Sequence, residues 1–327
     1  MLSEFELIRR YFEKPSRTGG RLRHGVQLGI GDDCALLHPA SGMELAVSTD
    51  MLVEGRHFAP GADPSKLGHK ALAVNLSDLA AMGAAPRWVT LALALPAADE
   101  GWLEKFSAGF FSLAERFDVG LVGGDTTRGP LNISVTILGE VPAGLALYRA
   151  GAQPGDGIWV SGELGGAALA LQHMSGGAKL AGADRDAMLK RLHEPEPRVA
   201  LGERLRGLAT SAIDVSDGFA GDLAHILERS SAGALVHYAK LPRPAAFARL
   251  GDAALERKCV LSGGDDYELI FTAPQSRHAE IEALGAELHL KLACVGYMQA
   301  GDARLVLLDA QGNAMPSAGG FDHFSAT

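Results

Sequence analysis

Residues 75–81 read NLSDLAA and residues 214–220 read DVSDGFA, so a Ser-Asp pair beside an apolar run occurs once in each half of the chain. A Gly-Gly-Asp sequence follows each pair, GGDTT at 123–127 and GGDDY at 263–267. Asp125 lies 47 residues after Asp78, and Asp265 lies 48 residues after Asp217. The nearly equal spacing is compatible with two similar domains. It is also compatible with two similar turns, because Gly and Asp are common turn residues.

Strand-like and helical segments alternate around these motifs. A helix is predicted from Pro64 to Met82, since Asp63 followed by Pro64 is typical of a helix start. Strands are predicted at 88–95 and at 44–49, the latter ending at Asp50. We therefore expect an α/β protein of the α+β type, in which helices flank mixed sheets.

The length of the chain favours two domains. A chain of 327 residues is longer than one hydrophobic core usually holds. The segment 142–158 is turn-rich and has no strong periodicity, so we place the boundary there. The expected domains are residues 1–145 and residues 146–327.

Composition narrows the class of protein. The formal net charge of −9 argues against a general nucleic-acid surface, which would need a basic stripe. No basic-then-apolar leader and no uninterrupted apolar stretch of membrane-spanning length occurs, so no membrane association is expected. The three cysteines have no CxxC spacing, which is typical of a reducing compartment. A cytoplasmic location is the expectation.

The sequence GIGDDCALL at residues 29–37 places Asp32 beside Asp33 with no basic neighbour. A turn is one interpretation, because Gly and Asp favour turns and Asp accepts hydrogen bonds from backbone N–H groups. A cation ligand is the other. In an extended stretch, adjacent side chains point to opposite faces, so the two carboxylates need not share a role.

Further acidic residues occur where strands end or helices begin. They are flanked mainly by small residues, and few of them have a basic neighbour. If several converge, their repulsion requires neutralising cations. Carboxylates and nearby hydroxyls such as those of Ser48 and Thr49 suit hard divalent cations, whereas zinc spacing is absent. The set comprises Asp32, Asp33, Asp50, Asp78, Asp125, Asp214, Asp217, Asp265, Asp266 and Glu268.

Each of these acids also has a structural alternative. Asp78 and Asp217 could be N-caps of the helices that follow them, each contributing about 1 kcal/mol. Asp50 and Asp125 could close turns after their strands. The metal-binding hypothesis depends on the number of acids at comparable positions rather than on any single one.

Nucleotide-binding loops of the common kinds are absent from the sequence. No P-loop and no strand–GxGxxG–helix fingerprint occurs. The stretch SGELGGAALAL at 161–171 could hold an anion at a helix N-terminus, or its glycines could serve tight packing. Arg149 could bind phosphate or form an ordinary surface ion pair. Phe321 could stack on a flat ring or pack against its own domain.

Taken in order, the motifs resemble the thiamine-monophosphate kinase family, whose superfamily includes aminoimidazole ribonucleotide synthetase and selenophosphate synthetase. The resemblance runs from about residue 3 to the GGF near 321, and each motif alone is weak. The motifs are LGIGDDCALL, STDMLVEGRHF, KALAVNLSDLAAMGA, GGDTTRGP, DVSDG and GGDDYEL.

The resemblance implies the two-domain fold of aminoimidazole ribonucleotide synthetase. It also implies direct transfer of the γ-phosphoryl group of ATP to thiamine monophosphate, with several Mg²⁺ ions and no phosphoenzyme, as the last step of thiamine diphosphate biosynthesis. The N-terminal domain would bind metal and ATP and form a homodimer. The C-terminal domain would complete the ATP and substrate site.

Matching motif by motif, the resemblance assigns roles to individual residues. It assigns none as a general base, because the acceptor phosphate oxygen is already anionic. The implied metal ligands are Asp33, Ser48, Thr49, Asp50, Asp78, Asp125, Asp214 and Asp217. The implied ATP contacts are Gly124, Asp125, Arg149 and Ser216, and the implied substrate contacts are His57, Glu268 and Phe321.

Three other functions are weighed against this one. Selenophosphate synthesis would call for a reactive Cys or selenocysteine in the glycine-rich N-terminal segment, and RTGGRLRHG at 17–25 has none. A maturation factor would end in a cysteine tail, whereas this chain ends HFSAT. A non-catalytic nucleotide-binding module would keep Asp33 and Asp78 but would have no reason to keep His57 and Glu268.

Overall fold

The computed structural model describes residues 4–13 and 24–316, so Phe321 lies outside the described residues. The chain divides into two compact domains. The first comprises residues up to Leu79 together with Ala84–Gly144, and the second comprises Ala80–Gly83 together with the chain from Leu145 onward. Among the described residues, no helix combines the length and apolarity that crossing a bilayer requires.

The first domain is built on a four-stranded sheet in the order β3-β6-β4-β5, beside a small antiparallel pair formed by β1 and β2. Strands β4 and β5 are parallel, and the other neighbouring pairs are antiparallel. The strands are β1 (Val26–Leu28), β2 (Leu36–Leu37), β3 (Met43–Val53), β4 (Ala85–Leu95), β5 (Gly120–Arg128) and β6 (Asn132–Pro142). The helices are α1 (Glu4–Ile8), the π-helical turn Arg9–Glu13, α2 (Pro64–Ala81) and α3 (Glu100–Arg116).

Local sequence explains where helix α2 begins. The Oδ1 atom of Asp63 accepts hydrogen bonds from the backbone N–H groups of Ser65 and Lys66, at 2.9 and 3.1 Å. Pro64 is the first helical residue, where the N–H group that proline lacks would have no intrahelical partner. The helix predicted from Pro64 to Met82 is therefore confirmed to within one residue. It brings Asn75 and Asp78 to strand β3.

Strand β3 is longer than the sequence pattern predicts. The predicted strand at 44–49 was to end at Asp50, but β3 continues to Val53, and its whole length pairs with β6. The prediction was wrong at this end because pairing with a full-length neighbouring strand outweighs the turn tendency of one aspartate. Asp50 therefore lies inside a strand and does not close a turn.

The second domain is built on a seven-stranded mixed sheet in the order β13-β12-β9-β11-β7-β10-β8. Its strands are β7 (Gly157–Ser161), β8 (Ser211–Asp214), β9 (Gly233–His237), β10 (Leu269–Ala273), β11 (Leu292–Gln299), β12 (Leu305–Leu308) and β13 (Ala314–Met315). Its helices are α4 (Gly166–Met174), α5 (Gly182–His193), α6 (Val199–Leu205), α7 (Phe219–Ser230), α8 (Ala246–Leu250), α9 (Ala253–Ser262) and α10 (His278–Glu287). The 3₁₀ turns are Tyr238–Lys240 and Gln275–Arg277.

Both domains confirm the predicted fold class of mixed sheets flanked by helices. In the second domain, strand β7 is buried along its whole length, as are β8 and β10. Helix α7 contributes Phe219 and Leu223 to the apolar core against these strands. The buried strands end in the loops that carry the acidic motifs of this domain.

Candidate functional site

In the first domain, strand β3 and helix α2 bring two predicted metal ligands together with a hydroxyl group. Ser48 and Asp50 are two residues apart on β3, so their side chains share a face. The hydroxyl of Ser48 donates a hydrogen bond to Oδ2 of Asp78. The backbone N–H of Asp50 donates to Oδ1 of Asn75 at 3.2 Å. Carboxylate, hydroxyl and amide oxygens are the donors that hard cations prefer.

Burial and charge act together on Asp50. Its burial raises the pKa of the carboxyl group, and the nearby charge of Asp78 raises it further, to about 7. Two carboxylates in a half-buried site are therefore electrostatically unfavourable without a cation. Asp78 lies inside helix α2, so it is not the N-cap of a following helix. The capping alternative is excluded for Asp78.

Thr49 occupies the opposite face of strand β3. Its hydroxyl is hydrogen-bonded to the hydroxyl of Thr136 on β6, at 2.8 Å. Successive side chains on a strand alternate between its two faces. The structure therefore does not bring the Thr49 hydroxyl together with Ser48, Asp50 and Asp78.

The GDD loop and the middle of strand β5 line one cavity of the first domain. The cavity has a volume of about 660 Å³, and Asp32, Asp33, Gly124 and Asp125 are among its lining residues. Oδ1 of Asp32 accepts a hydrogen bond from the backbone N–H of Asp33 at 3.0 Å, as a turn aspartate would. A side chain at Gly124 would place its Cβ 1.9 Å from the carbonyl oxygen of Leu91. The close approach of backbones requires glycine there.

The wall of this cavity includes residues that the sequence analysis missed. Ile8, Arg9, Phe12 and Glu13 line it from helix α1 and the π-helical turn. A π-turn inside or beside a helix often marks a functional site. Apolar residues four apart, here Ile8 and Phe12, are a signal in the sequence, but the same signal is typical of any packed helix.

The ring of His57 is hydrogen-bonded to the end of strand β3. Its Nδ1 atom accepts a hydrogen bond from the backbone N–H of Val53 at 2.9 Å. In the neutral ring, Nε2 therefore carries the proton. His57 is half-buried and presents that N–H group as a donor.

In the second domain, backbone hydrogen bonds join the DVSD and GGDDYEL loops. The N–H of Asp265 donates to the carbonyl of Ser216 at 3.0 Å. The N–H of Val215 donates a hydrogen bond to the carbonyl of Glu268, and the carbonyl of Val215 accepts one from the N–H of Tyr267, each at 2.8 Å. The structure therefore places the predicted residues Asp214, Ser216 and Asp217 beside the loop that carries Glu268.

Asp222 is a second buried acid that the sequence analysis did not single out. Its Oδ2 accepts hydrogen bonds from the backbone N–H groups of Asp217 and Gly218, at 3.1 and 3.0 Å. Burial raises the pKa of Asp222 to about 8, with further contributions from the charges of Asp214 and Asp217. Gly218 is the N-cap residue of helix α7, so the capping alternative is excluded for Asp217 as well.

The N-terminus of helix α4 is already bound to a carboxylate of the chain. Asp266 accepts hydrogen bonds from the backbone N–H groups of Gly165 and Ala167, at 2.5 and 3.3 Å. The anion that the SGELGG stretch holds is therefore a side chain of its own domain. Arg149 lies exposed on the surface of the same domain.

Glu268 is almost fully buried, with 2% of its surface exposed. Its Oε2 accepts hydrogen bonds from Oγ of Ser161 and from Nε of Arg198, both at 2.6 Å. Nη2 of Arg198 donates to Oε1, which completes a two-pronged ion pair. The sequence analysis missed Arg198, because an arginine in the run EPEPR is indistinguishable from a surface residue.

The described residues of the two domains contain no preformed metal cluster. Within residues 4–13 and 24–316, no three His, Cys, Asp or Glu side chains are close enough together to hold a metal ion. The two acids of the β3–α2 face, Asp50 and Asp78, instead lie beside neutral oxygen donors.

Two family models match the chain. The N-terminal domain of the AIR synthase related proteins matches residues 31–141, and the C-terminal domain of the same family matches residues 153–307. The fold and its acidic loops thus define an AIR synthase related protein of two domains.

Individual relatives narrow this class. Thiamine-monophosphate kinase of Escherichia coli K12 is 46% identical over 98% of this chain and 98% of its own length. The crystal structure of the Stenotrophomonas maltophilia K279a thiamine-monophosphate kinase is 46% identical, covers 96% of this chain and 98% of that chain, and has a TM-score of 0.86. A structure described as AaThiL complexed with AMPPCP and TMP is 28% identical, covers 99% and 97%, and has a TM-score of 0.77. The chain belongs to the thiamine-monophosphate kinase family, and it is a phosphotransferase.

Proposed function

We propose that this protein phosphorylates thiamine monophosphate with ATP and so forms thiamine diphosphate and ADP. Two of the relatives named above are thiamine-monophosphate kinases. The third is a structure of similar fold in complex with AMPPCP and TMP. The structural observation that carries the proposal is the β3–α2 face, where Asp50 and Asp78 lie close together. Two anionic substrates could not approach such a site without cations.

The donor set fits magnesium. The oxygens of Ser48, Asp50, Asn75 and Asp78 are hard ligands, and no thiolate or imidazole lies among them. Bound Mg²⁺ would neutralise the phosphates of both substrates and so permit their approach. We propose Asp33, Asp125, Asp214 and Asp217 as further metal ligands. Thr49 is retained as a ligand only through its backbone carbonyl, since its hydroxyl faces Thr136.

We assign ATP to the cavity of the first domain. Gly124 and Asp125 line it, and its apolar wall suits a purine ring. We propose Ser216 and Arg149 as further ATP contacts, and His57, Glu268 and Phe321 as contacts of the acceptor. Transfer is direct and in line, because the acceptor phosphate oxygen is itself a nucleophile and needs no general base.

A homodimer is part of the proposal. Strand β3 is an edge strand of the four-stranded sheet, and side chains on its outer face are exposed although apolar. Edge strands with apolar faces are usually covered by a partner. The exposed side chains are Met43, Leu45, Val47 and Met51. We place the protein in the cytoplasm, where ATP and Mg²⁺ are available.

The test is an assay of ADP release in the presence of Mg²⁺, with thiamine monophosphate and without an acceptor. Release that requires thiamine monophosphate, together with thiamine diphosphate as product, is expected. Asp78→Asn is expected to lower kcat by about 10²–10³-fold while far-UV circular dichroism stays unchanged.

Asp99→Asn is the matched control, because an Asn Oδ1 can still accept the N–H of Trp102 and Asp99 is not among the residues that line the cavity. Its kcat is expected to remain within about threefold of wild type. Wild-type turnover by Asp78→Asn, or ADP release that does not depend on the acceptor, would contradict the proposal.

A further inference from the structure

The second domain contains a buried ion pair for which a purely structural role is a poor explanation. Arg198 holds both carboxylate oxygens of Glu268, and Ser161 binds one of them as well. Replacing such a pair with apolar residues of equal volume often leaves a protein as stable as before. A buried pair therefore contributes orientation more than stability.

Three separate segments are shaped around this carboxylate. Ser161 ends strand β7, Arg198 precedes helix α6, and Glu268 precedes strand β10. Gly162 completes the enclosure, because a Cβ at that position would lie 1.9 Å from Oε1 of Glu268. Any larger residue at 162 would displace the carboxylate. The position of the Glu268 side chain is thus determined from several directions.

The guanidinium of Arg198 keeps its charge. Burial lowers the pKa of Arg198, but the hydrogen bond and the charge of Glu268 outweigh burial, so the pKa is raised overall. The Arg198 side chain is 20% exposed, and the charge of Glu196 also acts on it.

The backbone at Glu268 connects the pair to the DVSD loop. The carbonyl of Glu268 accepts the N–H of Val215, between Asp214 and Ser216. Because this bond is made by the backbone, it does not depend on the orientation of the Glu268 side chain. A carboxylate repels phosphate, so a group that contacts the Glu268 carboxylate would present a cation or N–H donors, as the thiazolium and aminopyrimidine rings of the acceptor do.

We propose that Arg198 is a positioning residue for the acceptor: it fixes the Glu268 carboxylate in the orientation that binds the ring system of thiamine monophosphate. This inference rests on the proposed function. It names Arg198 as the residue on which the affinity for the acceptor depends, while the affinity for ATP is determined elsewhere.

The test compares Arg198→Met, Arg198→Lys and wild type in steady-state assays in which each substrate is varied in turn. Arg198→Met is expected to raise KM for thiamine monophosphate about 10- to 100-fold, the effect of losing charge-assisted hydrogen bonds, and to change KM for ATP by less than about threefold. Arg198→Lys, which keeps the charge, is expected to restore part of this affinity. The double variant Arg198→Met with Glu268→Gln is expected to have a KM for thiamine monophosphate little higher than that of Arg198→Met alone, because both substitutions act through one carboxylate.

Arg243→Met is the matched control, since Arg243 forms a comparable, partly buried ion pair with Glu256 in the same domain. It is expected to lower the melting temperature without changing either KM. The inference is overturned if Arg198→Met leaves KM for the acceptor unchanged, if both KM values rise together, or if Arg243→Met raises KM for the acceptor equally. If Arg198→Met does not fold, an unchanged KM for the acceptor in Arg198→Lys and Ser161→Ala overturns it. A wild-type protein without activity contradicts the proposed function instead.

Discussion

Asp266 illustrates how one residue can act on the stability of its domain through its protonation. It is half-buried and binds the N-terminus of helix α4. Burial raises its pKa from 3.8 to about 7, although the two backbone hydrogen bonds oppose this. Between pH 3.8 and about pH 7, the carboxyl group of Asp266 is therefore protonated in the native state but ionised in the unfolded chain.

The sign of the effect follows from linkage. Below about pH 4 both states are protonated, and the contribution of Asp266 to stability is fully present. As the pH rises towards 7, this contribution is progressively lost. We expect Asp266→Asn to remove this component, so that its urea midpoint falls less than that of wild type between pH 5 and pH 8.

The comparison between variant and wild type matters here, because Asp222 also has a raised pKa and contributes a similar slope. Asp252→Asn is a suitable control, since Asp252 caps helix α9 from an exposed position. Equal pH dependence of the urea midpoint in Asp266→Asn and wild type would show that the buried carboxyl does not titrate as described.

Individual residues also show how far the sequence could be interpreted. The sequence analysis singled out Asp50 and Asp78, which the structure brings to one face, because acids beside small residues are conspicuous in sequence. It missed Arg198 and Asp222, since nothing in a linear pattern reveals burial or a partner 70 residues away. Thr49 was grouped with Ser48 by proximity in sequence, although strand geometry places its hydroxyl on the other face.

Two helices of the first domain approach so closely that their backbones touch. A Cβ at Gly68 on helix α2 would lie 2.1 Å from the carbonyl oxygen of Phe106, and one at Gly109 on α3 would lie 1.8 Å from that of Ser65. The two glycines are thus reciprocal at one helix crossing. The crossing fixes α2, which carries Asp78 to strand β3.

We expect Gly109→Ala to destabilise the protein by about 3 kcal/mol, because the helices would have to separate. The added methyl group would collide with backbone atoms, which cannot move aside as a side chain can. Chemical denaturation gives the change in the free energy of unfolding.

Gly101→Ala is the control within the same helix. The nearest atom to its Cβ would be Oδ1 of Asp99 at 3.4 Å, so alanine fits and should stabilise the helix by up to about 1 kcal/mol. If both variants changed stability equally, contact at the crossing would not be the cause of the loss.

Helices and strands were predicted unequally well. Helix α2 was predictable because its start carries a cap and a proline, and β4 because a long apolar run allows little else. Strand β9 and helix α9 were missed, although Asp252 caps α9 and Gly263 follows its last residue. The π-helical turn at Arg9–Glu13 has no sequence signal, since its hydrogen-bonding pattern differs from that of an α-helix by a single residue.

At the level of the complete chain, the two Ser-Asp and Gly-Gly-Asp motifs turn out not to be structural equivalents. Asp78 lies inside a helix, whereas Asp217 lies in the loop between β8 and α7. Asp125 is part of strand β5, whereas Asp265 precedes strand β10 with a left-handed backbone (φ 68°). The sheets also differ in size and order. The repeated spacing therefore does not mark two copies of one site.

The outer face of strand β3 leads to the prediction about assembly. Val47 is the most exposed of its apolar side chains, at 59%, and it lies between Leu45 and Thr49 on the open face of the sheet. A charge at the centre of a buried apolar contact would be strongly unfavourable. We therefore expect Val47→Glu to convert the proposed homodimer into monomers, as measured by sedimentation equilibrium.

Leu171→Glu is the matched control, because Leu171 is also a large exposed apolar residue, at 46%, but lies on helix α4 of the second domain. It is expected to leave the mass unchanged. A Val47→Glu protein that remains dimeric would exclude this face as the interface, and a monomeric wild type would exclude the homodimer itself. A folded Val47→Glu monomer that retains turnover would further show that each subunit completes its own active site. Loss of turnover on dissociation would mean that dimerisation supports the geometry of strand β3, where Ser48 and Asp50 follow the substituted residue.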